Sequence, residues 1–164
     1  MTNLYMIAGT MGVGKTAVCQ SLKQKLPNAV FLDGDWCWDA NPFWVNDETK
    51  NMVMHNICFL LNQFLHCSVY ENVIFCWVMH EQSIIDTILS NLDSVNCNTK
   101  LIALTCDANT LKERLEKDIS NGVRNREVLE RSVARIPLYD KLNATKIDTN
   151  GRSVNEITDE IAAL

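Results

Sequence analysis

The sequence contains no apolar run approaching the ~18 residues of a membrane-crossing helix. Met1 to Ala8 has neither a basic leader nor an apolar stretch of export length, so a cytoplasmic protein with no membrane partner is expected. There is no Cys-x-x-Cys pair; the seven cysteines, at positions 19, 37, 58, 67, 76, 97 and 106, are odd in number. That pattern suits reduced thiols at apolar positions better than disulfides or zinc. Positive charge is in short supply: fifteen Lys and Arg against twenty Asp and Glu leave −5. No general field attracts nucleic acid or anionic lipid, and any anion must be bound locally. Repeats, low-complexity tracts and linkers are also missing.

What is present is a balance suited to a packed core, with 47% hydrophobic and 21% charged residues in 164. That length predicts one domain spanning residues 1–164. Leu4–Ala8 is a short apolar run that opens onto a glycine-rich segment, and Ala17–Leu26 reads as a helix closed by Pro27. Ala29–Leu32 is a second apolar run, followed after a polar and aromatic stretch by an amphipathic segment over about Asp47–Cys67. Asn72–Met79 and Lys100–Cys106 resemble strands buried on both faces of a parallel sheet, each followed by helical patterning. Helices are predicted over Ala108 to about Ile119, Arg126 to about Leu142 and Val154–Ala163, with a last strand at Ala144–Ile147. Strands alternating with helices predict an α/β fold of three layers around a five-stranded, mostly parallel sheet. Ligands are then expected beyond the strand C-termini.

Directly after the first strand stands GTMGVGKT, the full P-loop pattern from Gly9 through Gly14 to Lys15 and Thr16. Several consecutive backbone N–H groups must turn inward to surround phosphate, and glycine reaches the required φ and ψ without a Cβ penalty. Thr10, Met11, Gly12, Val13 and Ala17 complete the expected phosphate-binding segment. Lys15 is placed to reach the β and γ phosphates, Thr16 to offer its hydroxyl to Mg2+, and the following helix aims its positive end at the same anion. The alternative is a glycine-rich turn with an exposed lysine. The Asn-Lys-x-Asp guanine reader of GTPases is missing, and the length is short for a motor with an extra helical domain.

The second strand ends in Asp33-Gly34-Asp35-Trp36, and three of the four tryptophans fall between Trp36 and Trp44. A carboxylate here can hold a magnesium-bound water or take the proton of an acceptor hydroxyl. Asp33 and Asp35 share a face only if the strand persists through Gly34. Turn formation or helix capping is the competing reading of both acids. Trp36, Trp38 and Phe43 read either as the wall of an acceptor pocket or as a hydrophobic plug under a loop. His80 and Glu81 follow the third strand at the ligand-facing end, where contact with an acceptor competes with ordinary solvation; His55 and His66 read as packing or surface residues.

All six arginines lie after position 113. Lys112–Arg135 holds seven positive and five negative residues, net +2, against eight and fifteen elsewhere, net −7. Arg114, Arg124 and Arg126 bracket a Ser-Asn-Gly segment, expected to act as a lid over about 117–127 that brings guanidinium groups onto phosphate. Helix-surface pairing is the alternative, notably Glu127 with Arg131 and Glu130 with Arg135.

With these features in order, the chain resembles the small-molecule and nucleotide kinases of the P-loop superfamily: adenylate, shikimate and gluconate kinases and chloramphenicol phosphotransferase. The DGDWCW stretch gives a further resemblance to nucleotide-kinase-like proteins that carry an AAA-domain label. The resemblance implies a three-layer P-loop NTPase fold with strand order 2-3-1-4-5. It implies that Gly9, Gly14, Lys15 and Thr16 form the phosphate loop, that Arg114 stacks on adenine, and that Arg124 and Arg126 belong to the lid. Arg152, in IDTNGR, would edge the adenine, while Asp33 and Asp35 would bind magnesium water or the acceptor hydroxyl. The third strand ends in VMHE, without the glycine-rich or arginine-bearing signature of shikimate or adenylate kinase, so neither acceptor carries over.

The expected activity is ATP- and Mg2+-dependent transfer of the γ-phosphoryl group to a hydroxyl or phosphate of a small molecule or nucleotide. Lys15, Asp35, Asp33, Arg124 and Arg126 are the expected catalytic residues, Asp35 ahead of Asp33 as base, with Thr16 and Asp33 at the metal. A monomer or homodimer is expected. The competing class is an ATP-binding regulatory or structural module without efficient transfer.

Overall fold

Alternating apolar side chains make both faces of each central strand hydrophobic, and the chain buries them between two layers of helices. The computed structural model describes residues 1–93 and 97–164. Five strands, β1 (Thr2–Ala8), β2 (Ala29–Asp33), β3 (Asn72–Trp77), β4 (Cys97–Thr105) and β5 (Thr145–Asp148), form one sheet in the order β2-β3-β1-β4-β5. Every pairing is parallel. This is the expected architecture and strand order.

Leu4, Met6 and Ala8 of β1 pack with Val73 and Phe75 of β3 against α2 (Asp47–His66), α3 (Gln82–Ser90) and α6 (Ile136–Asp140). Tyr5, Ile7, Ile74, Ile102 and Leu104 point the other way, onto α1 (Lys15–Lys25), α4 (Ala108–Ser120) and α7 (Val154–Ala162). The alternation of the strand side chains thus generates two cores, one per face. α5 (Glu127–Ala134) adds Val128, Leu129 and Val133 to the second.

Two local differences from the expected elements have plain causes. The helix expected over Arg126–Leu142 is two, broken at Arg135, because Pro137 lacks the N–H that would bond to the carbonyl of Val133. β2 does not continue through Gly34. It turns into a short 3-10 turn, Gly34–Cys37, with the Asp33 carboxylate accepting from the backbone N–H of Asp35 at 3.1 Å. The sheet register sets Ala8 opposite Trp77 and Asp33 opposite Cys76, so the C-terminal tips of β1, β2 and β3 meet at one level. The crevice beyond them lies where successive crossovers leave β1 and β3 in opposite directions.

No helix among the described residues is long and apolar enough to cross a membrane. Tyr139, buried in the first core, donates its hydroxyl to the carbonyl of Val78 at 2.7 Å and so ties α6 to the tip of β3. Tyr139→Phe is expected to cost about 1–2 kcal/mol of stability by leaving that carbonyl short of its donor. Chemical denaturation of the two proteins measures the difference.

Candidate active site

Lys15 is the first residue of α1, and Gly14 before it adopts a left-handed conformation at φ 108°. Gly12 is left-handed too, at φ 87°, and a Cβ there would stand 2.7 Å from Leu115 of α4. The loop is therefore seated directly on α4, and both its conformation and its packing demand glycine. Thr10 is buried and donates its hydroxyl to the carbonyl of Ser132 in α5 at 2.7 Å. Lys15 folds back across the loop, donating to the carbonyls of Gly9 at 2.8 Å and Thr10 at 3.0 Å. Burial pushes its pKa down, against the opposing pull of Cys76, Asp35 and Asp33. An ammonium held this way, among carbonyls and short of solvent, gains more from a phosphate than an exposed one does.

Thr16 donates its hydroxyl to Asp33 at 2.8 Å, joining the start of α1 to the tip of β2. Asp33 is buried, and its other oxygen is the one that caps the 3-10 turn. The capping reading of Asp33 and the site reading thus hold together in one side chain. Asp35 accepts from the indole N–H of Trp77 at 3.2 Å. Desolvation and the neighbouring Asp33 push the Asp35 pKa up, while Lys15, the Trp77 hydrogen bond and Arg124 hold it down. The turn, not strand alternation, brings both acids to the same cavity.

That cavity, about 300 Å³, is lined by Met11, Gly12, Gly14, Lys15, Thr16, Ala17, Asp33, Asp35, Arg114 and Arg124, together with Val78 and Asp118. Gly9, Thr10 and Val13 are the buried residues of the loop and do not line the cavity. Arg114 donates to the carbonyl of Val13 at 3.2 Å, and to the hydroxyl and carbonyl of Thr149, each at 3.0 Å. It braces the phosphate loop against the segment after β5. Arg124 pairs with Asp118 at 3.0 Å. Arg126 is exposed at the start of α5, outside the cavity lining. Arg152 is likewise outside it, bonded to the carbonyl of Asp148 at 3.1 Å and paired with Glu160 at 2.6 Å. Asp118, Trp77 and Val78 carried no motif in the sequence; only the fold brings them here.

A second cavity of about 280 Å³ adjoins the first and shares Met11, Asp35 and Val78 with it. Trp38, Phe43, Trp77, His80, Arg131 and Arg135 are among its walls. Trp38 stacks on Phe43 with ring centroids 4.1 Å apart. Among the described residues, Arg131 and Arg135 are not in ion pairs with Glu127 and Glu130; both face the cavity. His80 has a buried Nδ1 without a hydrogen-bond partner among the described residues, and burial, then Arg135, lowers its pKa. His55 and His66 are exposed and line neither cavity.

The family profile of the AAA domain matches residues 6–136, which span the phosphate loop, both acids and the four arginines that line the two cavities. The chain belongs to that AAA-domain family. A shikimate kinase from Bacillus cytotoxicus is 27% identical to this family member over 165 residues, covering 94% of this chain and 93% of the relative. Among solved structures, a gluconokinase from Sinorhizobium meliloti superposes with a TM-score of 0.70 at 16% identity, over 98% of this chain and 90% of the other. An APS kinase from Mycobacterium tuberculosis, in complex with AMPPNP and APS, gives 0.72 at 12% identity, over 99% and 96%. The expected resemblance to P-loop small-molecule kinases is borne out in fold and kin.

Gly34 sits where a Cβ would lie 2.5 Å from the Trp77 ring, so this AAA-domain protein needs glycine there for the indole to reach Asp35. Gly34→Ala is expected to destabilise the protein by about 1–3 kcal/mol through overpacking. In a double-mutant cycle by thermal denaturation, Trp77→Leu should recover part of that loss.

Proposed function

We propose that the protein is an ATP-dependent kinase that transfers the γ-phosphoryl group to a hydroxyl of a small molecule. The observation that carries this reading is the position of Asp35, which lines both the phosphate-loop cavity and its aromatic neighbour. A group at that junction meets the terminal phosphate from one side and an acceptor from the other, as an in-line transfer requires.

In this reading the loop amides and Lys15 hold the β and γ phosphates. Lys15 exchanges its two carbonyl partners for phosphate oxygens. Arg124 leaves Asp118 for the transferring group when the segment over about 117–127 closes as a lid, with Arg126 travelling on the same segment. Arg114, which lines the cavity and braces Val13 to Thr149, is read as the residue beside adenine; Arg152, outside the lining, is read as edging it. Asp35 accepts the acceptor proton, and its raised pKa suits a base that receives a proton as the oxygen attacks.

Thr16 and Asp33 present adjacent hard oxygens 2.8 Å apart, a donor set that fits Mg2+. Among the described residues there is no cluster of three or more His, Cys, Asp or Glu that could hold a metal. When bound, Mg2+ supplies neutralisation of the developing phosphate charge. The protein is read as cytoplasmic, acting as a monomer or homodimer in a single domain.

A nucleotide-binding module without transfer makes no use of Asp35. Incubation with γ-labelled ATP, Mg2+ and pooled nucleosides, nucleotides, sugars, polyols and hydroxyl antibiotics is expected to label one pool. Asp35→Asn should lower that transfer by about a hundredfold or more while ATP affinity survives. Lys15→Ala should reduce transfer by roughly 10²–10³ and weaken ATP binding as well. Unchanged ATP binding in Lys15→Ala would remove the site assignment, and retained transfer in Asp35→Asn would remove Asp35 from its role.

A further inference from the structure

The acceptor cavity opens outward into a groove of about 580 Å³ lined by Met11, Asp35, Trp36, Trp38, Asp39 and Phe43. Its three rings are held in place; Trp36 and Phe43 remain open to solvent, while Trp38 is half-buried against the first core. Trp36 rests edge-on against Phe31 at 5.1 Å and is 58% exposed; Phe43, stacked on Trp38, is 55% exposed. Among the described residues, Asp39 has no ion-pair partner. Between Lys25 and Lys50 there are five acids, Asp33, Asp35, Asp39, Asp47 and Glu48, and no basic residue. The positive side chains Arg131 and Arg135 stand instead on the wall of the inner cavity.

The faces of aromatic rings are negative, and a cation over several rings beside a carboxylate is stabilised by both. A purely apolar occupant would bury Asp39 without compensation. An anionic one would meet Asp35 and Asp39 directly. Like-charge repulsion from Arg131 and Arg135 keeps a cation out of the inner cavity and in the groove.

We propose that this groove binds the ammonium group of the phosphoryl acceptor, and that the acceptor is an amino alcohol. The proposal rests on the reading of the adjoining cavities as a kinase site. The cationic nitrogen sits among Trp36, Trp38, Phe43 and Asp39, and the hydroxyl reaches Asp35. The hydroxyl oxygen forms the new P–O bond, the bond from the γ-phosphorus to the bridging oxygen of ADP breaks, and the hydroxyl proton passes to Asp35 and then to solvent.

Choline and its uncharged isostere 3,3-dimethylbutan-1-ol separate charge from shape. Calorimetric titration of the full chain with each, alongside ATP as a check that every variant is folded, is expected to show choline binding at least about tenfold more tightly than the alcohol. Asp39→Asn should weaken choline about fivefold or more with little effect on the alcohol, and Trp38→Leu should weaken choline more than it weakens the alcohol. Equal binding of the two probes, no choline binding, or choline binding indifferent to Asp39→Asn would each overturn the ammonium site. Choline binding without transfer of γ-label supports that site and counts against the transfer reading. Label appearing on uncharged polyols with no choline binding overturns the ammonium site and leaves the transfer reading standing.

Discussion

The hydrogen bond from Thr16 to Asp33, at 2.8 Å, joins the phosphate loop to the second strand, and the geometry of the cleft hangs on it. Thr16 belongs to the first turn of α1, so its position is set by the left-handed Gly14 that releases the helix. Asp33 is the last residue of β2, and its position is set by pairing with β3 in parallel register. The bond is short only because β1, β2 and β3 end at the same level. One oxygen of Asp33 receives Thr16; the other starts the turn that swings Asp35 toward Trp77. Loop, helix start, strand tip and turn are thus one connected unit.

Around this unit the charges are arranged in opposition. Lys15 is driven toward neutrality by burial, and Asp35 toward protonation by burial and by Asp33, while each favours the charged form of the other. Two groups strained in opposite senses and placed across one cavity are poised for an anionic ligand that relieves the lysine. The negative surplus of the Leu26–Thr49 segment and the positive surplus of Lys112–Arg135 meet across the same cleft. A ligand bridging phosphate loop and groove therefore meets cationic surroundings at one end and acidic, aromatic ones at the other.

Much of this was legible in the sequence, and for physical reasons. The phosphate loop demands consecutive residues of fixed type, so Gly9 to Thr16 can be read without a fold. Buried parallel strands must be apolar on both faces, so their positions followed from short apolar runs. Arg124 is legible because it stands in a glycine-containing segment between helices, and it does line the cavity. Arg126, in the same segment, is exposed outside the lining, because proximity in sequence says nothing about which side of a turn a guanidinium leaves. Arg131 and Arg135 were legible as charges but not as cavity walls, since surface pairing and cavity lining use the same helical spacing.

By itself, the amino-acid sequence determined the layered α/β architecture, the phosphate loop and the pair of acids at the second strand tip. These rest on local rules of periodicity, backbone freedom and side-chain chemistry, which act over a few residues. Tertiary structure decided how Asp33 and Asp35 come to face one cavity, that Arg114 braces Val13 to Thr149, and that Trp77 reaches Asp35. The turn itself is local, Asp33 capping the N–H two residues on, but the Arg114 and Trp77 contacts join residues 35, 42 and 101 positions apart and depend on register and helix packing. No local rule can supply those long-range contacts, because each is the product of two elements placed independently and brought together only by the packing of both cores against the sheet.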